Sequence, residues 1–527
     1  MTKIDFLFKG ALIIDGSGQK GQVADLATLG SHIHLIAPEI NLPAKKIVQA
    51  QGFILSPGFI DIHGHTDHYL CVDPQSSSKI SQGVTTEVFG NCGYSPFLLK
   101  GKFKKHFQNE LDFYRLKDHW HDLKSFSERV NEQKPAINWL TLVGHGTLRL
   151  AAMGHENRPA TRDELKWMKR ELEMAMEQGA FGLSSGLIYT PGCFAKIQEL
   201  IELVKIVGKK GGFYATHMRS EGDKLVESIK ESLRISRLGH TPLQISHLKT
   251  AGEKNWQKID EVLQILEKVL SQGEDVTWDR YPYTASYTSL DTCLPRRLFD
   301  GGDLRAVERL KNPLIRSKYI KQLNHNGKQF PLTIVAGLLS NKNKCWAGRT
   351  LEECSHWSKK SIGEFVIDLL TEEKMQVNAI FFSMSEENLD RIILHPRAMI
   401  GSDASARTQN GKTFLPYVHP RTYGTFPRFF KNYVLTSKII SPEEAIYKMT
   451  GLPATRLGLK KRGYLKADYF ADLVLLNPKQ LQDRATYQSP TLYSKGIEMV
   501  LVNGQPVLEN HKQTKNRSGM FITHGEG

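Results

Sequence analysis

The chain has 527 residues, enough for a large barrel of roughly 250–400 residues together with smaller domains. Its formal net charge is +15, but the 70 Lys and Arg residues are spread along the chain among 55 acidic ones, so we expect no nucleic-acid partner. No apolar run approaches the ~18 residues that span a bilayer, and the start of the chain lacks a signal-peptide pattern, which predicts a cytoplasmic protein with no membrane partner.

Both ends of the chain have the pattern of short β-strands. At the amino-terminal end, DFLFKGALIID, SHIHLIAP and KKIVQAQGFILSPGF alternate with turn residues, and ADLVLLNP and MVLVNGQPV have the same character near the carboxyl-terminal end. We predict one small β-sandwich domain built from residues 1–57 and 460–515.

Between these ends, short apolar segments alternate with amphipathic helical ones. The strand candidates are residues 58–63, 85–91, 137–145, 180–185, 211–217, 242–247, 275–283 and 397–403. Helices are predicted at 163–178, 224–238 and 258–271, where apolar residues recur at helical spacing. Eight strand and helix units in succession predict an α/β fold, a TIM-like (β/α)8 barrel over residues 58–459. A long polar segment, 295–375, interrupts the alternation and predicts an insertion or lid between strands 7 and 8.

Several strand candidates end in residues that can bind a metal ion. These residues are His63 and His65 after strand 1, Cys92 after strand 2, His217 at the end of strand 5, His247 at the end of strand 6 and Asp403 at the end of strand 8. In a barrel the carboxyl ends of the strands converge on one face, where active sites are found.

Each of these residues has an ordinary structural explanation when taken alone. A lone cysteine is usually an inert buried thiol, and an aspartate after a strand often caps a helix. Their coincidence at successive strand ends favours one shared metal site. Imidazole, thiolate and carboxylate are the ligands that Zn²⁺ accepts, and zinc can bring the pKa of bound water to about 7.

Longer motifs narrow the interpretation to a known family. GFIDIHGHTD (58–67), ISHLK (245–249) and GSDAS (401–405) resemble the metal motifs of the amidohydrolase superfamily. QGVTTEVFGNCGYSP (82–96), GHGTLR (144–149), GAFGLSSGLIYTPGCFA (179–195), YATHMRSEGD (214–223) and HPRTYGTFPR (419–428) resemble the D-aminoacylase (N-acyl-D-amino-acid deacylase) family. The similarity runs from about residue 5 to residue 505.

The resemblance implies a zinc-dependent hydrolase of N-acyl-D-amino acids, with a small N-acyl amino acid as its binding partner. One zinc would be bound tightly by Cys92, His217 and His247, and His63 and His65 would form a second, weaker position. Asp403 would be the catalytic acid and base. Tyr189 would polarise the scissile carbonyl, and the α-carboxylate would be held by Lys249, Tyr283 and Arg421.

Two features limit how far the resemblance extends. Strand 4 ends in LSSG (183–186) without the lysine that bridges two metals in many amidohydrolases, which points away from the hydantoinase, dihydroorotase and urease branches. The segment ASARTQNGKTFLPYV (404–418) and the insertion match the family loosely. The acyl group, the preferred side chain, the oligomeric state and the occupancy of the second metal position therefore stay open, and D configuration rests on the resemblance alone.

Two other functions are compatible with the same barrel. A cyclic amidase or a deaminase would use the same metal chemistry, although its substrate would not need cations for an α-carboxylate. A non-catalytic relative would be expected to lose metal ligands, whereas every expected ligand type is present.

Overall fold

In the computed structural model, which describes residues 3–116 and 120–525, strands from both ends of the chain form one sheet of nine strands. These strands are Ile4–Ile13, Gln22–Leu29, His32–Ala37, Ala44–Gln49, Ile54–Pro57, Leu473–Leu476, Ile497–Val502, Gln505–Glu509 and Lys512–Gln513. Residues 1 and 2 of the predicted β domain lie outside the described residues, and the predicted domain bounds stay predictions.

The sheet has two buried faces, which explains why its central strands are apolar throughout. In Leu473–Leu476, Leu473 and Leu475 pack into the core enclosed by the sheet itself, together with Phe8 and Leu26. The alternate residues of that strand face the barrel, against Phe426. Because successive side chains of a strand point to opposite faces, this strand contributes to both cores. The shared strand attaches the small domain to the barrel.

Eight parallel strands form the barrel, as the sequence predicts. We number them barrel strands 1 to 8: Phe59–Asp61, Val84–Phe89, Asn138–Thr141 continued by Val143–Gly144, Gly182–Gly186, Phe213–His217, Leu243–Ile245, Val276–Arg280 and Ala398–Ile400. Strands 1 to 3 pair in order, as do strands 3 to 8. A parallel bridge between Gly64 and Ala404 connects the loop after strand 1 to the loop after strand 8.

Helices surround the barrel and fill the loops. Those up to barrel strand 7 are Tyr69–Val72, Ser77–Ile80, Gly101–Tyr114, Leu123–Glu132, His145–Met153, Arg162–Glu177, Ile197–Lys209, Leu225–Gly239 and Ile259–Ser271. Later ones are Asp303–Leu310, Pro313–Asn324, Leu351–Ser358, Ile362–Glu372, Glu386–Ile393, Arg421–Phe430, Pro442–Met449 and Gly451–Leu457. The three helices predicted from apolar spacing agree with the structure to within one residue at each end. In the described parts of the chain, no helix is both long and apolar enough to cross a membrane.

The insertion between barrel strands 7 and 8 contains a sheet that the sequence pattern does not reveal. Its antiparallel strands are Ala285–Ser289, Ile334–Val335 and Asn378–Phe382, and its four helices pack on a separate apolar core. The first strand of this sheet begins before the predicted insertion 295–375, and its last strand ends after it. Because Ala285–Ser289 follows barrel strand 7 closely, the insertion is held beside the carboxyl-terminal face of the barrel.

Candidate metal centre

The loop after barrel strand 2 is shaped to expose the thiol of Cys92. Cys92 itself has a positive φ of 52°, and it lies between Gly90 and Gly93, with φ of 72° and 80°. A side chain at Gly90 would place its Cβ 2.0 Å from the carbonyl oxygen of Leu142, so only glycine fits there. The strained conformation at Cys92 is thus held by close backbone packing.

Cys92, His217 and His247 form a cluster of three metal-binding atoms. The Cys92 Sγ lies 3.6 Å from Nε2 of His247, and that nitrogen lies 3.0 Å from Nδ1 of His217. The three ligand atoms all lie within 4.8 Å of one another. The structure therefore brings together the residues that sequence reasoning assigned to the tight zinc.

A second cluster shares the same thiol. His63, His65, Cys92 and Asp403 also offer ligand atoms within 4.8 Å of one another. The Cys92 Sγ is 3.3 Å from Nε2 of His63, and Oδ1 of Asp403 is 3.1 Å from Nε2 of His65. Cys92 is the common member of both clusters, as a bridging ligand would be.

The chemistry of these groups suits zinc. Burial opposes ionisation of the Cys92 thiol, but the imidazoles of His63, His217 and His247 hold its pKa well below the ordinary value, so the sulfur is a thiolate. His217 directs Nδ1 towards this cluster, while its Nε2 lies 3.8 Å from a carboxylate oxygen of Glu221. One thiolate with two imidazole nitrogens leaves a fourth position open, which is the ligand set of a catalytic zinc site.

Two buried carboxylates behind the ligands were not identified from the sequence. Asp279 accepts a hydrogen bond from Nδ1 of His63 at 3.0 Å, and Glu221 lies 2.8 Å from Nδ1 of His247. Each contact keeps the proton on Nδ1 and leaves Nε2 free to bind a metal. Two signals in the sequence could have identified them. Glu221 follows His217 by four residues, and Asp279 is a charged residue inside the fully buried barrel strand 7.

Asp403 is a member of the second cluster and also contacts Arg421. Its Oδ2 is 3.0 Å from Nη1 of Arg421, and its Oδ1 is 3.6 Å from Nε2 of His63. Burial disfavours the charged carboxylate, yet Arg421 and His247 hold the pKa of Asp403 well below its usual range. Asp403 is therefore ionised and able to accept a proton.

Tyr189 faces the cluster from the loop after barrel strand 4. Its ring centroid is 4.9 Å from that of His217, and its hydroxyl lies 2.9 Å from Oγ1 of Thr288 in the insertion. Burial, together with the negative charge of Cys92, raises the pKa of Tyr189 well above its ordinary value. The hydroxyl therefore stays protonated and can donate a hydrogen bond.

The cations expected at the α-carboxylate also lie beside the clusters. Lys249 is buried, with 3 % of its surface exposed, and its Nζ lies 2.5 Å from a carboxylate oxygen of Glu221. Arg421 is equally enclosed, and its Nε has no hydrogen-bond partner within the described ranges. Both cations are thus held in place by acidic neighbours of the metal ligands.

Two tyrosines follow the end of barrel strand 7, and the role of Tyr283 at the α-carboxylate stays a prediction. The ring of Tyr283 packs on His419, at 5.1 Å between centroids, and under the guanidinium of Arg428. Tyr281, which was not identified from the sequence, has the Arg421 guanidinium 4.5 Å from its ring centroid. Burial would raise the pKa of the Tyr281 hydroxyl, but the positive charges of Lys249, Arg280 and Arg421 lower it. The backbone hydrogen bond from Tyr283 to the Tyr281 carbonyl turns the chain there.

Comparisons with known proteins point to one family. A profile described as amidohydrolase family matches residues 399–508. The chain is 35% identical to a D-aminoacylase of Alcaligenes xylosoxydans xylosoxydans, over 98% of this chain and 97% of that protein. It is 30% identical, with a TM-score of 0.84 over 99% and 100% of the two chains, to an N-acyl-D-glutamate deacylase of Bordetella bronchiseptica solved with zinc and a phosphonate mimic of the tetrahedral intermediate. A D-aminoacylase described with a binuclear metal centre superimposes with a TM-score of 0.83 and 33% identity, over 99% and 100% of the chains.

Proposed function

The chain belongs to the D-aminoacylase family of the amidohydrolase superfamily, and we propose on that basis that it hydrolyses N-acyl-D-amino acids to a carboxylate and a D-amino acid in a zinc-dependent reaction. The observation that carries this function is the cluster of Cys92, His217 and His247 with Asp403 beside it. The same cluster would be surplus in a non-catalytic protein.

Cys92, His217 and His247 would hold the tightly bound zinc, and His63 with His65 would hold a second ion more weakly. When bound, zinc polarises a carbonyl oxygen and lowers the pKa of a coordinated water, which provides a nucleophile at neutral pH. Glu221 and Asp279 orient the imidazoles for this task by binding their Nδ1 protons.

Proton transfer is assigned to Asp403. As an ionised carboxylate beside the metal ligands, it takes a proton from the attacking water on one of its oxygens and then gives that proton to the departing nitrogen. Tyr189 donates a hydrogen bond from its hydroxyl to the carbonyl oxygen, where negative charge develops. This donor is already oriented because Thr288 holds the same hydroxyl.

Arg421 would hold the α-carboxylate of the substrate, with Lys249 and Tyr281 beside it. The free Nε of Arg421 and the hydroxyl of Tyr281, which lacks a partner among the described residues, are buried donors that a carboxylate would satisfy. A cyclic imide or a nucleobase has no such group. The cations therefore favour a linear N-acyl amino acid over the substrates of cyclic amidases and deaminases.

The function is tested by a turnover assay with paired D and L N-acetyl amino acids and with cyclic imides, with zinc supplied or removed by a chelator. We expect turnover of the D substrates only, lost with the chelator and restored by zinc. Equal turnover of L substrates would contradict the stereochemical assignment, and turnover of cyclic imides alone would replace the proposed reaction.

A further inference from the structure

Barrel strands 8 and 1 meet at a seam, formed by residues 400–406 and 61–66, that lacks a ladder of backbone hydrogen bonds. Every other pair of neighbouring barrel strands is joined within a continuous sheet. Across the seam, the described chain has one isolated bridge, between Gly64 and Ala404. A residue of the second metal-binding cluster lies next to each end of this bridge, so the placement of that cluster depends on what else holds the seam.

Lys79 is the residue whose side chain fills the seam. It lies in the short helix Ser77–Ile80 and is fully buried, with 0 % of its surface exposed. Its Nζ donates to Oδ2 of Asp61 at 2.6 Å, on the strand 1 side, and to the Ser402 hydroxyl and the Ala404 carbonyl oxygen, both at 2.8 Å, on the strand 8 side. The three donors of the ammonium group thus bind acceptors on both sides of the seam.

Asp61 supplies a second set of contacts across the seam. Its Oδ1 accepts from the backbone N–H of Ser402 at 2.9 Å, and its Oδ2 accepts from the Ser402 hydroxyl at 2.5 Å. Asp61 is itself completely buried, so its charge needs the cation of Lys79 beside it. Side chains thus take the place of the missing ladder, and Lys79 neutralises the charge at their centre.

Asp403 lies between the two residues that Lys79 contacts after barrel strand 8. Its φ of 49° is in the left-handed region, a conformation that persists only where surrounding contacts hold it. Its backbone N–H donates to the His63 carbonyl oxygen across the seam at 2.7 Å. By fixing the residues on both sides, Lys79 fixes the direction of the Asp403 carboxylate, whose Oδ1 lies 3.1 Å from Nε2 of His65.

Glu87, in barrel strand 2, extends the network to the loop that carries the two histidines of the second cluster. Its Oε1 lies 3.3 Å from Nζ of Lys79, and both of its carboxylate oxygens lie 2.7 Å from the Thr66 hydroxyl. A Cβ at Gly64, the residue between the two histidines, would come within 1.9 Å of Oε1, so only glycine fits there. The loop is therefore packed directly against this network.

We propose that Lys79 is a positioning residue: its ammonium group holds the loop conformation in which Asp403 can take a proton from water and give it to the departing nitrogen. The inference rests on the proposed function, in which Asp403 performs that transfer. Lys79 contacts barrel strands 1 and 2 and the loop after strand 8, whereas His217 and His247 lie at strands 5 and 6. Its removal should therefore affect proton transfer more than the tight zinc.

The first test is Lys79→Met, which nearly keeps the length of the side chain and removes its charge. With the N-acetyl-D-amino acid that the wild type hydrolyses fastest, kcat should fall by about 10- to 100-fold, the usual cost when a group that orients a functional residue is lost. KM should change by less than about threefold. The variant should keep its tightly bound zinc, measured by elemental analysis. Wild-type kcat, or loss of that zinc, would overturn the inference.

A double variant shows whether Lys79 acts through Asp403. When Lys79→Met is added to Asp403→Asn, kcat should change by less than about threefold, because residues that act as a unit are not additive. A role in general stability would instead multiply the two losses. A further fall in kcat as large as the one in the wild-type background would contradict the positioning role.

Lys448 provides a matched control at the opposite end of barrel strand 8. It is 1 % exposed, and its Nζ donates to the His395 carbonyl oxygen at 2.6 Å and lies 3.5 Å from that of Ala398, where the strand begins. Lys448→Met also removes a buried ammonium group, so it should lower Tm as Lys79→Met does. Its kcat should stay within about twofold of the wild type. An equal loss of kcat in the two variants would reduce Lys79 to a stabilising residue.

Ser402→Ala decides the question if Lys79→Met fails to fold, since that variant leaves Asp61 without its cation. The serine variant removes only the hydroxyl that accepts from Lys79 and donates to Asp61. It should fold, keep the tight zinc and lower kcat by about 3- to 10-fold, the cost of one hydrogen bond in the network. The loss should disappear in the Asp403→Asn background. A folded Ser402→Ala protein with wild-type kcat would then overturn the inference.

The outcomes also distinguish the inference from the function beneath it. Turnover of an N-acetyl-D-amino acid by the wild type establishes the deacylase reaction whatever Lys79 does. Wild-type turnover with unchanged kcat in Lys79→Met would overturn the role of Lys79 and leave the function intact. No turnover of any D substrate by the wild type would overturn both.

Discussion

Buried polar groups have carboxylate partners on the metal-binding side of the barrel, whereas some of those on the side covered by the insertion have no partner. On the metal side, His63 and His247 each have a carboxylate behind them, Asp279 and Glu221. On the side facing the insertion, Nε of Arg421 and the hydroxyl of Tyr281 have no hydrogen-bond partner in the described chain. The contrast separates groups that the protein holds for chemistry from groups available to a substrate.

The physical reason lies in the cost of burial. Each unsatisfied buried polar group costs about 1–3 kcal/mol, so a fold retains few of them without a ligand to complete them. Metal ligands, by contrast, are useful only when they are already oriented, because reorientation would weaken binding. Changes on the metal side should therefore affect zinc and kcat, and changes on the insertion side should affect KM and substrate choice.

The largest effect is expected from Cys92→Ala, which removes the atom shared by both clusters. We expect loss of bound zinc, measured by elemental analysis of the purified protein, together with loss of all turnover. Cys354→Ala removes another buried thiol, in the insertion, and should keep both. Full zinc content with full activity in Cys92→Ala would contradict the separation between the two sides.

Asp403→Asn should lower kcat by about 100- to 10,000-fold, the usual contribution of a positioned acid or base. The tightly held zinc should remain, because Asp403 is not part of the Cys92, His217 and His247 cluster. Kinetics and metal analysis on the same preparation check both parts. Near-full activity would remove Asp403 from the reaction.

Glu221→Gln tests the carboxylate behind His247. The variant should weaken zinc binding by about 10- to 100-fold, as is typical when a group that orients a metal ligand is lost. Competition with a calibrated chelator measures the affinity. A change in KM for substrate without a change in zinc affinity would instead place Glu221 on the substrate side, through its contact with Lys249.

The smallest expected effect is a change in KM, and it should differ between the two tyrosines near the end of barrel strand 7. Tyr281→Phe should raise KM by about tenfold through one lost hydrogen bond to a charged group, with zinc unaffected. Tyr283→Phe, which alters a ring packed on His419, should change KM by less than about twofold. A larger rise in KM for Tyr283→Phe than for Tyr281→Phe would make Tyr283 the substrate residue, as the resemblance to the family implies.

The convergence of the candidate metal ligands on one face of the barrel could be predicted from the sequence by itself. Barrel topology sends every strand end to one face, so His63, Cys92, His217, His247 and Asp403 had to converge once the strands were recognised. The (β/α)8 barrel and the three long helices followed from apolar periodicity in the same way. These features depend on short-range patterns, which a sequence displays directly.

Only the tertiary structure decided which side chains stand behind the ligands and which face the substrate. Asp279 and Glu221 act through contacts with residues on other strands, and Ala285–Ser289 pairs with Asn378–Phe382 across most of the insertion. Tyr281 and Tyr283 follow the end of barrel strand 7 at Arg280, where a tight turn sets the directions of the two side chains. Where the chain leaves regular geometry, the direction of a side chain is set by long-range packing, and no local pattern records it.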